Sequence, residues 1–314
     1  MVANQIEREL LTVEKQLNEV VRSEVGLLQD ASQHIIASGG KRIRPRITML
    51  AYLAAGGEDL SAVIPLAAAV ELVHTATLVH DDINDHSTTR RGKITVHARW
   101  GRTFALLTGD YLFSKVYELM APYGTEYNVL MANACVELVE GETLQAAAAK
   151  SGTIDQETYK RIISLKTASL FEASARMGAL LAGGDEQTVE ALSEYAHNLG
   201  LAFQIVDDVL DIMGDPETMG KPAGNDLIQG AGAIVAQNGK KMDHQTAVAQ
   251  KTAPSEDPIQ TMMTRLRESG AVEVARMQAN EMARRARRAL EHVYPSPACD
   301  ELGALVDLVV DREQ

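Results

Sequence analysis

Apolar residues return every three or four positions along almost the whole chain, and β-branched residues rarely alternate with polar ones over strand length. That spacing predicts helices over 5–22, 24–37, 44–55, 60–84, 94–98, 101–121, 125–147, 155–182, 187–213, 224–238, 257–268, 270–293 and 298–311. The chain therefore reads as all-α. The punctuation agrees: "SGGKRIRP" places glycines after Ile35-Ile36 and then a proline, and "LAGGDEQ" at 181–187 ends one helix before an acidic start to the next. Residues 237–257 are polar with weak periodicity and read as a loop. With no linker-like composition and no solenoid repeat, residues 1–314 form a single domain in this reading.

Composition narrows the functional classes. The 314 residues are 46% hydrophobic, enough for a large core, and carry a net charge of -13. That balance speaks against nucleic acid or an anionic membrane as general partner, because both need a basic surface to displace counterions. Cys135 and Cys299 are far apart and outside any CxxC spacing, so a reducing compartment without structural zinc is expected. The opening "MVANQIEREL" is polar, and the longest apolar stretch, Leu60 to Val79, is interrupted by Glu71 and His74. A cytoplasmic protein with no transmembrane segment is the expectation.

One short pattern occurs twice. Asp81, Asp82 and Asp85 form D-D-x-x-D, and so do Asp207, Asp208 and Asp211. The i, i+4 spacing puts Asp81 with Asp85, and Asp207 with Asp211, on one helical face each. Like charges so placed cost a helix a few tenths of a kcal/mol, and more in a partly buried cavity. Both motifs follow strongly apolar stretches, "LAAAVELVHTATLV" and "AHNLGLAFQIV", so neither is simply a solvated helix end. Oxygen ligands without sulfur or paired histidines favour Mg²⁺, whose coordination substrate phosphates complete.

Cations to hold such an anion are available. "GGKRIRP" supplies Lys41, Arg42 and Arg44; "TTRRG" supplies Arg90 and Arg91; "LKTASLFEA" supplies Lys166; "MGKPAGNDL" supplies Lys221. Together with the twin acidic faces they suggest two diphosphate sites, one bridged by metal and one held by basic side chains. His74 is either a phosphate donor or a histidine satisfied inside the core, and Trp100 signals packing. No GxxxxGK[ST] or complete GxGxxG occurs, so nucleotide chemistry has no support.

These segments resemble the trans-isoprenyl diphosphate synthases, or polyprenyl synthetases. "GGKRIRP", "ELVHTATLVHDDIND", "RRGK", "LLTGDYLFS", "EGETLQ", "LKTASLFEA", "GLAFQIVDDVLD" and "GKPAGNDLIQG" stand in the family's order over residues 38–230. The resemblance implies the isoprenoid synthase fold, with helices around a deep central cavity, a homodimer, and condensation of isopentenyl diphosphate with an allylic diphosphate. It implies that Asp81, Asp85, Asp207 and Asp211 hold a Mg²⁺ cluster, supported by Asp82 and Asp208, with catalysis falling to Asp81, Asp82, Asp85, Lys166, Asp207 and Asp208. Arg90, Lys166, Thr167, Gln204 and Lys221 resemble contacts to the allylic diphosphate. Lys41, Arg44, His74 and Arg91 resemble the isopentenyl diphosphate pocket. The implied reaction ionises the allylic diphosphate, joins the cation to the isopentenyl double bond and releases a proton, with water excluded.

Residues just before the first motif face the growing chain in this family. Here they are the small Ala76 and Thr77, which imply a long product like that of the long-chain polyprenyl diphosphate synthases. The alternative is an earlier stop, at Leu106, Tyr111 or Met131, giving a geranylgeranyl-sized product. A non-catalytic subunit of a heteromeric synthase and a terpene cyclase are further alternatives. Retention of all six aspartates opposes the first, and the Lys41, Arg44 and Arg91 cluster opposes the second. After "DLIQG" the chain departs from the family's usual K-x-T-L-P-like continuation.

Overall fold

The computed structural model of the chain describes residues 2–151, 155–213 and 269–311. They form α1 (Val2–Val20), α2 (Gly26–Ile36), α3 (Ile43–Ala54), α4 (Ile64–Asn84), α5 (Val96–Trp100), α6 (Arg102–Met120), α7 (Thr125–Ser151), α8 (Gln156–Ile163), α9 (Ser169–Leu181), α10 (Glu186–Met213), α11 (Ala271–Leu290) and α12 (Pro297–Val310). The predicted helices at 224–238 and 257–268, and the predicted loop at 237–257, lie outside the described residues.

A helix apolar on all sides must be buried on all sides, and α4 is that helix. Leu66 to Val73 are all buried, and α1, α3 and α6 pack around it. Among its partly exposed positions, His74, Leu78 and Asp81, with the C-cap Asp85, recur at three- and four-residue steps and so share one stripe. The second motif lies near the end of α10, which packs on α9 and α11. There Ile205, Val206, Val209 and Ile212 build a smaller core with Tyr159, Ile163 and the alanine face of α11.

Local chemistry explains the boundaries. Pro65 sits in the first turn of α4 after a short 3₁₀ turn, Leu60–Ala62, so the expected helix at 60–84 starts later than its apolar pattern. Asp155 caps α8 by accepting from Thr158 N at 2.7 Å, and Asp185 precedes α10 in the same way, accepting from Thr188 N at 2.7 Å. The single helix expected at 155–182 is interrupted: Ser164–Ala168 forms a π turn between α8 and α9. The periodicity also missed a small hairpin, in which Thr89–Arg90 (β1) pairs antiparallel with Lys93–Ile94 (β2). Its two-residue loop, Arg91-Gly92, has φ of 52° and 72°, the positive values a primed turn needs.

Among the described residues no helix is long and apolar enough to cross a membrane. Two glycines mark different constraints. A Cβ at Gly178 of α9 would fall on the Thr48 carbonyl oxygen of α3, whereas one at Gly303 of α12 would meet nothing within 4 Å. Gly178→Ala should therefore destabilise the fold by about 1–3 kcal/mol through overpacking. Gly303→Ala should stabilise it by up to about 1 kcal/mol through helix propensity. Urea unfolding of the two variants checks the opposite signs.

Candidate active site

Lys166 is the hinge of the acidic side. The π turn carries it towards α7 and α4, where its Nζ pairs with Glu142 Oε2 at 2.5 Å and donates to Gln145 Oε1 at 3.2 Å. Although burial opposes its charge, Asp81, Glu142 and Asp85 raise its pKa. The wide turn fits because Gly141 of α7 has no side chain: a Cβ there would stand 2.6 Å from the Lys166 backbone nitrogen. Asp81 experiences the reverse field. Burial is the main cause of a carboxyl pushed up to about 7; Lys166 pulls it down, and Glu142 and Asp85 push it up again.

Asp82, one residue on, has turned into the protein. It is 1% exposed and accepts from Arg90 Nε at 2.7 Å, which fixes the β1–β2 hairpin against the end of α4. Asp208 plays the matching part on α10. Tyr159 donates to its Oδ2 at 2.5 Å and Gln204 Nε2 to its Oδ1 at 2.9 Å, while Thr167 Oγ1 donates to Gln204 Oε1 at 2.8 Å. Since Thr167 follows Lys166, one π turn touches the surroundings of both aspartate motifs. In each D-D pair the second carboxylate is anchored inside, leaving Asp81 and Asp207 only partly buried.

A basic half-site lies beside them. Gly39 and Gly40 have φ of 69° and 155°, and a Cβ on Gly40 would sit 2.5 Å from an Arg91 guanidinium nitrogen. Arg91 donates to the Gly39 carbonyl, so the double glycine admits the arginine that the hairpin turn delivers. Arg44, on α3, stacks over Phe171 with its Cζ 4.7 Å from the ring centroid. Burial brings its pKa down to about 10; Glu71 and Asp207 oppose that shift and Arg91 adds to it. Burial, then Arg44, Arg91, Arg90 and Arg42, hold His74 well below its ordinary pKa, so its ring is neutral at pH 7. Lys41, three residues before Arg44, is exposed.

Both motifs thus answer to one group of cations: Lys166 and Arg90 act on Asp81, and Asp207 acts on Arg44 and Arg91. Among the described residues no three His, Cys, Asp or Glu side chains converge as a ready metal cage. The donor set nevertheless suits a hard cation. It offers carboxylate oxygens, one of them, on Asp81, held by burial and then by Glu142 and Asp85 so that it retains a proton near neutrality. Lys221 lies outside the described residues. Ala76 has no exposed surface and Thr77 is 8% exposed, its hydroxyl donating to the His74 carbonyl at 2.8 Å. Of the alternative stops, Leu106 is 42% exposed, Met131 is buried, and the Tyr111 hydroxyl donates to the Arg22 carbonyl at 2.7 Å.

Sequence reasoning assigned no role to Glu71, Glu142, Gln145 or Tyr159. "EGETLQ" contained two of them as a family-like segment. Nothing local marked Glu71 or Tyr159, whose partners are 29 and 49 residues away.

Comparison with known proteins follows the same lines. The Polyprenyl synthetase family description matches residues 25–264. The octaprenyl diphosphate synthase of Escherichia coli is 35% identical over 304 residues, spanning 94% of this chain and 93% of its own. A short chain isoprenyl diphosphate synthase of Methanothermobacter thermautotrophicus is 35% identical over 292 residues, with 90% of each chain covered. The crystal structure of a polyprenyl synthase from Caulobacter crescentus CB15, complexed with calcium and isoprenyl diphosphate, superposes with a TM-score of 0.90 at 34% identity. The match covers 99% of this chain and 97% of that one. On the duplicated aspartate motif, the helical fold around it and these matches, the chain belongs to the polyprenyl synthetase family and is a prenyltransferase of the trans-isoprenyl diphosphate synthase type.

Proposed function

We propose that this chain adds isopentenyl diphosphate units to an allylic diphosphate and makes a long all-trans polyprenyl diphosphate. The observation that supports the two-substrate reading is the presence of two kinds of charged cluster in one another's field: carboxylates around Lys166, and Arg44 and Arg91 around a neutral His74, with Asp207 acting on both arginines. Asp81, Asp85, Asp207 and Asp211 would hold Mg²⁺, which when bound neutralises diphosphate charge. Lys166 and Arg90, with Lys221, Thr167 and Gln204, would orient the allylic diphosphate and stabilise its departure. Lys41, Arg44, His74 and Arg91 would hold isopentenyl diphosphate, and the apolar flank of α4 would keep water from the allylic cation.

Small side chains at Ala76 and Thr77, one turn before Asp81, support the long product. Relatives making both short and octaprenyl chains leave a geranylgeranyl-sized product as the second reading. We place the enzyme in the cytoplasm, where Cys135 and Cys299 stay reduced.

The assembly we propose is a homodimer. α7 packs one side against the π turn and α9 and leaves Val129, Val136 and Val139, spaced on one stripe, 49–59% exposed. α6 buries one side on α4 and leaves Phe104, Leu107 and Tyr117 outward. A second copy offers the same apolar stripes, as a two-fold interface requires.

Purified protein given Mg²⁺, isopentenyl diphosphate and farnesyl diphosphate should yield chain-extended diphosphates beyond geranylgeranyl length by mass spectrometry. Hydrocarbon release would indicate a cyclase, and absence of turnover a non-catalytic subunit. Ala76→Phe should shorten the product yet permit the first addition; an unchanged distribution removes this position from length control.

A second test uses the Asp81 carboxyl. Its folded pKa of about 7 lies above the ordinary value of 3.8, so the native state binds more protons than the unfolded one between these values, and stability falls as pH rises through that window. Asp81→Asn should stabilise the protein by about 1–2 kcal/mol at pH 8, the gain disappearing towards pH 4. It should also lower turnover at least about a hundredfold. Magnesium pyrophosphate should raise the melting midpoint of the native chain more than that of the variant.

The dimer is tested by Val136→Glu, which should halve the mass seen in sedimentation equilibrium.

A further inference from the structure

Of the arginines around His74, Arg42 has its guanidinium engaged by three partners within the protein, where Arg90 bonds Asp82 and Arg91 the Gly39 carbonyl. The Arg42 Nε donates to Glu14 Oε1 at 2.5 Å, its Nη1 to Glu71 Oε1 at 2.6 Å, and its Nη2 to the Ile36 carbonyl at 3.1 Å. It is 8% exposed, and its backbone is left-handed, with φ of 46°, at the N-cap of α3. A non-glycine residue keeps that conformation only where its surroundings over-determine it, and three hydrogen bonds from one side chain do so. Lys41 and Arg44 flank this fixed point, so its dihedrals set where both emerge.

Glu71 completes the device. It is 3% exposed, one turn before His74 on α4, and besides pairing Arg42 it is the foremost carboxylate opposing the depressed charge of Arg44 and Arg91. Several guanidiniums gathered in a partly buried space repel one another unless an anion lies among them. Glu71 is that anion in the protein itself. Glu14 connects the cluster to α1, far from either aspartate motif in sequence.

We propose that Arg42 is a positioning residue for the isopentenyl diphosphate half-site, working through Glu71 as a resident counter-anion and Glu14 as a brace from α1, without touching substrate. The identity of the ligand rests on the function proposed above; the arrangement of the three side chains does not. A bracing role and a contact role differ in sign at Glu14. If Arg42 bound substrate, removing the Glu14 charge would release it and leave binding unchanged or tighter. If Arg42 acts by staying in place, the same change weakens binding.

The test is calorimetric titration of the full chain with isopentenyl diphosphate in the absence of magnesium, and separately with magnesium pyrophosphate. Arg42→Lys, which cannot reproduce the three-way geometry, should weaken isopentenyl diphosphate about tenfold and leave magnesium pyrophosphate within about twofold. Glu14→Gln keeps the other two Arg42 bonds and should weaken isopentenyl diphosphate about threefold, with no further loss when added to Arg42→Lys beyond about twofold. If Arg42→Lys does not fold, Glu14→Gln alone decides. Unchanged or tighter binding in Glu14→Gln, or equal weakening of both ligands in Arg42→Lys, overturns the proposal. Native protein that binds isopentenyl diphosphate without extending a chain would sink the proposed function and leave this comparison readable; native protein that does not bind it would sink both.

Discussion

A helix buried on nearly every side can carry charge only where opposite charge meets it, and α4 organises the molecule around that constraint. Its apolar faces are closed by α1, α3 and α6, so its ionisable groups are confined to one stripe and to its C-terminal end. Glu71 meets Arg42, Asp82 meets Arg90, and Asp81 lies in the field of Lys166. Each partner comes from a different part of the chain: the loop before α3, the hairpin after α4, and the π turn before α9. The tertiary fold around the site is in this sense a set of deliveries of cations to one helix.

Deviations from regular backbone occur where those deliveries are made. Arg42 and Arg91 are two of three non-glycine residues with positive φ among the described residues, and the π turn is the break between α8 and α9. Such features cost free energy and persist where surrounding contacts outweigh the cost. Here the contacts are identifiable: the Glu14–Arg42–Glu71 network, Arg91 on the Gly39 carbonyl, and Gly141 standing against the Lys166 backbone.

Much of this was legible in the sequence because it is local. Apolar periodicity located the described helices to within a few residues, and the i, i+4 aspartates read directly as shared faces. The π turn was not legible, since "SLKTASL" continues the helical pattern through it and only the approach of α7 at Gly141 marks the widening. The hairpin was missed because two-residue strands are too short to show alternation; the Arg-Gly pair that makes its turn read as a basic cluster instead. Glu71, Glu142 and Tyr159 were passed over for a common reason. Each acquires meaning from a partner distant in sequence, and spacing along one helix does not contain that partner.

The two halves of the site solve charge crowding in opposite ways, which bears on what each can do. The basic half carries its own anion: Glu71 stands among Arg42, Arg44 and Arg91, so the cluster can be held together before any phosphate arrives. On the acidic half, Lys166 is shared among several carboxylates. Lys166 faces Asp81, Asp85 and Glu142 together, and burial, with Glu142 and Asp85 adding to it, lets Asp81 hold its proton up to about neutrality. Carboxylates accept an anionic diphosphate only with positive charge between them, whereas guanidiniums can accept one directly. On the function proposed above, metal dependence would therefore belong to the side where the diphosphate leaves, and fixed guanidiniums would suit the side that holds its diphosphate intact.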